Sequence, residues 1–373
     1  MCSRTAGQGR SVDTLFVREI VDLGFRSVSV IGMGKNTGKT FTFNQLVMEA
    51  KQLGLCVALT TIGLDGEERD SLFYHDKPKI MVSPGQIVAN ARSLILDSGL
   101  DYEILATTGI MTPLGEVILA RALSAGQTVL AGPGTRHELA FIKNQLEQLG
   151  IDLLFVDGAV DRRSLAAPMV TDTTVLAVGA ETAWDRPLLL EKLMLQLNVL
   201  TLPTWDNWNA PELKVELGTV ASEAKIVLLS AQGIEGVVTH EDFFHRPDVL
   251  TTQINDRVQT IFIRGMLTDD VLVKVLASGA GATSLTLVVS EPTSVFLGKQ
   301  GFQRLKSHHA ALKVLDAIHI SAVTVNPFNS RFGLADPIAL LEDVGQAVDP
   351  IPTFDLNLGV RYRLKKEGLD AIS

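Results

Sequence analysis

Short apolar runs alternate with longer segments of helical periodicity along the first half of the chain. Residues 27–31 form an apolar run, apolar residues then recur at helical spacing over 43–53, and a second apolar run follows at 56–60. This order predicts strand, helix, strand. The same reasoning predicts further helices at 86–96, 115–123 and 137–149, and further strands at 102–106, 128–131, 153–156 and 174–178. Alternation on this scale predicts an α/β fold, in which an open parallel sheet is covered by helices on both faces.

The character of the sequence changes at residues 198–216, where Pro203, Pro211, Trp205 and Trp208 stand among polar residues without a clear period. We interpret this segment as a linker between two domains. Apolar and helical segments alternate again beyond it, with predicted strands at 226–229, 260–263, 285–289, 322–325 and 351–354 and a predicted helix at 268–277.

The sequence therefore predicts a first domain over residues 1–197 and a second α/β domain over 217–373. A length of 373 residues agrees with two domains, since one domain usually takes about 100 to 200 residues. The runs at 285–289 and 323–325 can be parallel strands of one sheet.

Composition and charge exclude several classes of protein. With 33 Lys and Arg against 42 Asp and Glu, the formal net charge is −9, and the basic residues cluster only at 361–366. We therefore expect no nucleic-acid partner. No stretch reaches the roughly 18 apolar residues of a membrane span, and the two cysteines, Cys2 and Cys56, are too few for a disulfide framework. These features predict a cytoplasmic protein without a membrane partner.

The segment after the first predicted strand is rich in glycine and ends in lysine and threonine. Strand, glycine-rich turn and helix start follow one another in the order that a phosphate-binding P-loop requires. In such a loop, backbone N–H groups and the positive end of the helix surround the phosphates of a nucleoside triphosphate. The predicted binding residues are Gly32, Gly34, Lys35, Asn36, Thr37, Gly38, Lys39 and Thr40. Lys39 would neutralise the terminal phosphates of ATP, and Thr40 would hold Mg²⁺.

The spacing of this loop departs from the usual pattern. Five residues separate Gly32 from Gly38, whereas the usual P-loop has four residues between its glycines. Loops of this longer kind resemble those of dethiobiotin synthetase and its relatives, which predicts a P-loop NTPase-like first domain. The alternative is a glycine-rich turn that binds no ligand. Lys35 is either a second phosphate contact or an exposed lysine.

A polar loop at residues 60–70 follows the second predicted strand and supplies candidate carboxylates. Ligands bind at the carboxyl ends of strands in open α/β sheets. Asp65 would bind Mg²⁺ or orient the attacking water, as phosphoryl transfer requires. A solvated acidic loop is the alternative, because runs of charge usually face solvent.

Two later strands also end in polar residues. The apolar run 153–156 is followed by Asp157, which would hold the metal ion as a Walker B aspartate does, or would cap a turn. Residues 326–330, with the sequence Asn-Pro-Phe-Asn-Ser, follow another predicted strand. They form either a plain turn or a binding loop.

Four regions of the chain together form a pattern like that of a known family: the loop 32–40, the segment 62–68, residues 156–163 with 178–180, and the segment 262–268. This pattern, spread over about residues 25 to 354, resembles the KamB-type reactivase subunits of lysine 5,6-aminomutase. The resemblance implies an ATP-dependent, chaperone-like activity, which releases a damaged cobalamin from an adenosylcobalamin-dependent aminomutase. It implies two partners, the aminomutase and a MutS-like second reactivase subunit.

The resemblance carries over to the loop glycines 32, 34 and 38, to Lys39 and Thr40, and to Asp65 and Asp157 on the metal side. In this interpretation Lys39 and Asp65 are the catalytic residues, and ATP hydrolysis moves a partner protein. A small-molecule ligase or kinase of the dethiobiotin synthetase type is a second hypothesis. A nucleotide-binding regulatory protein that does not hydrolyse its ligand is a third.

Overall fold

A computed structural model describes residues 16–62, 79–158, 171–206, 217, 219–246, 248–278, 285–362 and 370–371. The chain divides into two compact units. The first consists of two separate segments, Met1–Met194 and His319–Ser373, and the second is the intervening segment Leu195–Ile318. The second unit is thus an insertion into the first.

The first segment of the chain alternates strands and helices. Its strands are β1 (Ser27–Gly32), β2 (Val57–Thr61), β3 (Ile80–Val82), β4 (Ile87–Ala91), β5 (Tyr102–Thr112), β6 (Gly115–Ala122), β7 (Gly126–Thr128), β8 (Leu153–Asp157) and β9 (Thr173–Gly179). Its helices are α1 (Phe16–Asp22), α2 (Lys39–Gln52), α3 (Arg92–Asp97), α4 (Arg136–Gln148) and α5 (Arg186–Leu200). The boundary between the two units falls within α5.

The inserted unit contains its own sheet. Its strands are β10 (Ala224–Ser230), β11 (Gly233–Thr239), β12 (Thr260–Ile263), β13 (Leu267–Thr268), β14 (Thr286–Val289), β15 (Val295–Phe296) and β16 (Ala311–Val314). Its helices are α6 (His240–His245), α7 (Val249–Gln253), α8 (Asp269–Ser278) and α9 (Lys299–Ser307), with a 3₁₀ turn at Pro292–Ser294. The sheet order is β11-β10-β12-β14-β16, antiparallel from β11 to β12 and parallel from β12 to β16.

The last segment returns to the first unit. It contains β17 (Ile320–Asn326), β18 (Phe328–Asn329), β19 (Gly333–Leu334), helix α10 (Pro337–Val348), β20 (Thr353–Asp355), β21 (Val360–Arg361) and β22 (Asp370–Ala371). The sheet of the first unit has 11 strands in the order β22-β21-β20-β17-β9-β1-β8-β2-β4-β6-β5. The strands from β20 to β4 in this order are parallel, and antiparallel strands flank them on both sides. The α/β class is therefore confirmed, with a mixed sheet.

The observed division differs from the predicted domains at 1–197 and 217–373. Residues from His319 onward belong to the first unit, because β17 pairs in parallel with β9. The predicted linker at 198–216 begins inside α5, and Trp205 is only 5% exposed in a core that includes Val227 and Phe262 of the inserted sheet. The predicted strands at 285–289 and 323–325 lie in different sheets, as β14 and β17.

Two predicted helices are wrong. The segment 86–96 consists of strand β4 followed by the short helix α3, and the segment 115–123 is strand β6. All five residues of β4 are buried, so its sequence shows no alternation of apolar and polar positions. In β6, pairing with β4 and β5 overrides the helical preference of its Glu, Leu and Ala residues.

The central strands are buried on both faces, as expected for a sheet covered by helices. In β8, Leu153 and Phe155 join a core that contains residues of α2, whereas Leu154 and Val156 join another that contains residues of α4. Side chains of successive strand residues point to opposite faces. Helices α2 and α4 therefore cover opposite faces of the sheet.

Asp172 joins the amino ends of β1 and β9. The glycine-rich loop 32–40 lies at the opposite end of these strands. Its Oδ2 accepts hydrogen bonds from the N–H groups of Arg26 (2.7 Å) and Ser27 (2.9 Å), and its Oδ1 accepts one from Lys143 Nζ of α4 (2.8 Å). Burial raises the pKa of the Asp172 carboxyl, but the hydrogen bonds from Lys143 and Arg26 outweigh burial and hold that pKa below its ordinary value.

We expect Asp172→Ala to destabilise the first unit, because the substitution removes the acceptor of two backbone N–H groups and one of the two acceptors of the Lys143 ammonium, which also donates to the Ser27 hydroxyl. The free energy of unfolding should fall by about 1–3 kcal/mol. Asp343→Ala is the matched control, since Asp343 pairs with Arg186 at an exposed position and such pairs contribute about 1 kcal/mol or less. Urea unfolding of both variants measures the difference, and equal losses would contradict the role of Asp172.

Candidate functional site

The glycine-rich loop leaves the sheet at the carboxyl end of β1, and α2 begins directly after it at Lys39. From β1 the chain goes to β2 and β8 on one side of β1, and later to β9 on its other side. Such a reversal of strand order opens a crevice above the carboxyl ends of the strands, where open α/β sheets bind ligands. The loop therefore lies at the topological switch point of the sheet.

Close packing within the loop requires small residues at both of its ends. A Cβ at Gly32 would lie 2.5 Å from Oγ1 of Thr37, a side chain only 1% exposed. Gly38, immediately before α2, has φ 94°, a left-handed conformation that glycine adopts without steric cost. Asn36 has φ 59°, and asparagine tolerates this conformation better than most residues do.

The loop lies over the carboxyl end of β9. The N–H of Met33 donates to the carbonyl of Ala177 in β9 (3.1 Å). A Cβ at Gly179, the last residue of β9, would come within 2.7 Å of the Thr37 Cα. Gly179 thus makes room for the loop backbone, and the sequence motif itself does not include this residue.

On the other side of β1, Lys39 contacts the carboxyl end of β8. Its Nζ lies 3.3 Å from Oδ1 of Asp157 and donates a hydrogen bond to the carbonyl of Gly158. The two side chains are 15% and 21% exposed. Thr61 of β2 donates to the backbone carbonyl of Asp157 (2.8 Å), which fixes the end of β8. A cation and a carboxylate, each partly shielded from water, therefore lie together beside the loop.

The amino terminus of α2 has no side-chain cap, in contrast to two other helices of this unit. At α4, Thr135 accepts a hydrogen bond from the Glu138 N–H in a complete capping box, and at α10 Asp336 accepts two backbone N–H bonds. At α2, Gly38 occupies the cap position and offers no side-chain acceptor. Uncapped N–H groups at a helix amino terminus, together with the helix dipole, attract anions.

The predicted site residues are therefore distributed as follows. Lys35 and Asn36 are exposed at the tip of the loop, and Thr40 is partly exposed in the first turn of α2. Lys39 and Asp157 lie together. Asp65 lies outside the described residues. Gly179 lies in the segment 178–180 of the family-like pattern but was not predicted as a site residue, and Asn326 was predicted as part of either a turn or a binding loop. Asn326 of β17 also contacts the loop.

Comparison with known proteins returned no relatives: no protein-family model matches the chain, and no curated protein and no solved structure is significantly similar to it. Within the described ranges, no group of three or more His, Cys, Asp or Glu side chains is arranged to hold a metal ion. None of the helices described in this chain combines the length and apolar character needed to cross a membrane.

We expect Gly179→Ala to displace the loop, because the new methyl group would overlap backbone atoms of Thr37 that cannot rotate away. Overpacking of this kind costs about 1–3 kcal/mol, and hydrogen exchange of the amides at 33–38 should accelerate. Gly134→Ala is the control, since a Cβ there meets only Oε2 of Glu138 at 3.7 Å. If both variants matched the parent protein in stability and exchange, the loop would not depend on Gly179.

Proposed function

We propose that this chain binds a nucleoside triphosphate with Mg²⁺ at the loop 32–40 and hydrolyses it. One observation carries the proposal: the Lys39 ammonium and the Asp157 carboxylate lie together at the uncapped amino terminus of α2, at the carboxyl edge of parallel strands. The order β2-β8-β1-β9-β17 supports it, since β1 with its loop is flanked by β8 with its carboxylate. We infer a P-loop NTPase-like first unit on these grounds.

The donor set fits a magnesium nucleotide. The loop joins the carboxyl end of β1 to the uncapped start of α2 through Gly38, and backbone N–H groups at such a helix start can bind phosphate oxygens. Lys39 would neutralise charge on the terminal phosphates. The Thr40 hydroxyl and the Asp157 carboxylate would hold Mg²⁺, an ion that proteins usually bind through one or two carboxylates and the phosphates themselves. When bound, Mg²⁺ would offset the negative charge that builds up during phosphoryl transfer.

Lys39 has a second role in the protein without nucleotide. Its ammonium is the partner of Asp157 at 3.3 Å, so each charge is compensated before a ligand enters. An arriving triphosphate would compete with Asp157 for the ammonium, and the carboxylate would then be available to Mg²⁺. The position of Asp65 in this scheme, as the residue that orients the attacking water, stays a prediction from the sequence.

We expect Lys39→Ala to abolish detectable binding of Mg-ATP, because the variant loses the cation that neutralises the phosphates. Lys51→Ala is the matched control from the far end of the same helix, where Lys51 donates to the Ser83 hydroxyl. Isothermal titration calorimetry of both variants with Mg-ATP tests this. Unchanged affinity in the Lys39 variant would show that the loop is not the nucleotide site.

We further propose, on the resemblance to KamB-type reactivases, that hydrolysis is coupled to a partner protein. An aminomutase inactivated with a damaged cobalamin should release it when the chain, its MutS-like partner subunit and Mg-ATP are added. The Lys39→Ala variant should fail, and absorbance of the released cobalamin measures the outcome. ADP formation that depends on a small carboxylate or amine alone would favour a ligase or kinase. Tight binding of ATP without phosphate release over hours would identify a regulatory protein.

A further inference from the structure

Asn326 reaches the phosphate loop from two strands away. It is the last residue of β17, and β9 lies between β17 and β1. Its side-chain Nδ2 donates a hydrogen bond to the carbonyl of Asn36 (3.1 Å). Its Cβ also lies against the loop glycine, because a Cβ at Gly38 would come within 2.9 Å of it. One side chain thus contacts both the tip of the loop and the residue before α2.

The contact is possible because the loop crosses the end of β9. Gly179 has no side chain to block the backbone of Thr37, so the loop extends over β9 as far as β17. Lys39 contacts the opposite neighbour, β8, through Asp157. The loop therefore spans the ends of four adjacent strands, and Asn326 holds its β17 side.

The two hydrogen bonds of the Asn326 side chain fix its orientation. Oδ1 accepts from the N–H of Phe328 (3.2 Å), and Nδ2 donates to the Asn36 carbonyl (3.1 Å). A carboxamide satisfies both groups because it has one acceptor end and one donor end. An aspartate would keep the bond from Phe328 but would place an anionic oxygen against the Asn36 carbonyl.

Asn326 is itself firmly held. Its backbone carbonyl accepts from the N–H of Ala180, and Asn329 donates to the Ala180 carbonyl (both 2.9 Å). Ser330 donates two hydrogen bonds to the carboxylate of Glu181, at 2.7 and 2.6 Å. These bonds hold the short hairpin of β18 and β19 against the residues that follow β9. The hairpin therefore restricts the movement of Asn326.

We propose that Asn326 is a positioning residue, which holds the Asn36 peptide in its left-handed conformation and so shapes the loop for a triphosphate before ligand binds. This inference rests on the proposed function. Asn36 has φ 59°, and its carbonyl direction is set by the donor of Asn326. Pre-organised loops bind more tightly because less conformational freedom is lost on binding. Because Asn326 acts through the loop, it affects the binding of the ligand's phosphates, and its effect on affinity does not depend on the nucleotide base.

The test compares two ligands, Mg-ATP and magnesium tripolyphosphate, which has the phosphates but no base. In Asn326→Ala, the dissociation constants for both should rise by the same factor, about 3- to 10-fold for one lost hydrogen bond. In Asn326→Asp the rise should be larger, because the carboxylate repels the loop carbonyl and the phosphates. Calorimetry on the full chain measures both dissociation constants for the parent protein and for each of the two variants.

Asn44→Ala is the matched control. Asn44 bridges two backbone groups in the same way, but its side-chain bonds go to residues outside the loop: it donates to the Lys79 carbonyl (3.2 Å) and accepts from the Met81 N–H (2.9 Å). This variant loses the same two kinds of hydrogen bond. Its affinities for both ligands should stay within about twofold of the parent, which is less than one hydrogen bond contributes.

Hydrogen exchange of the free protein supplies a readout that needs no ligand. The amides at 34–38 should exchange faster in Asn326→Ala than in the parent or in Asn44→Ala. A loss of affinity for Mg-ATP alone, with tripolyphosphate binding unchanged, would overturn the proposal and indicate a base contact. If the parent protein bound neither ligand, the proposed function would fail, and exchange would still decide the role of Asn326: unchanged rates at 34–38 would overturn it.

Discussion

The parallel pairing of β1 with β8 on one side and with β9 on the other is the constraint on which the candidate site depends. In this register Val30 lies opposite Asp157, and Gly32 opposite Ala177. The carboxyl ends of the three strands therefore meet at one edge. A slip of one residue would turn the Asp157 side chain to the other face of the sheet, away from Lys39. Asp172 joins the amino ends of β1 and β9 and so supports the register of that pair.

The same edge shapes the loop. The neighbouring strands hold the sharply turning backbone of residues 32–38. In β9 the Ala177 carbonyl accepts a hydrogen bond from the loop, and Gly179 leaves room for its backbone. In β17 the Asn326 side chain donates a hydrogen bond to it. Lys39 and Asp157 meet on the β8 side. The site thus depends on side chains from both segments of the first unit, although the inserted unit separates them in sequence. An insertion after β9 can be accommodated because β17 still returns to its place beside β9.

The sequence was sufficient to predict the local secondary structure around the candidate site. Strand, glycine turn and helix start follow each other within residues 27–52, and the strand that ends in Asp157 is a short apolar run. The placement of Gly179 and Asn326 beside the loop could not be predicted, because only sheet pairing brings them there. The domain boundary was missed for the same reason. The sequence of a strand at 320–326 does not show which of the two sheets the strand joins. The helical composition of β6 was misleading, since its conformation is decided by its neighbours β4 and β5.

The proposed function requires the loop 32–40 to receive the phosphates of a magnesium nucleotide. Hydrogen exchange of the unmodified protein, with and without saturating Mg-ATP, tests it most directly, since each backbone N–H that binds phosphate becomes protected. We expect slower exchange concentrated at residues 33–41, the loop and the first turn of α2. Unchanged exchange in that segment, with protection elsewhere in the chain, would contradict it.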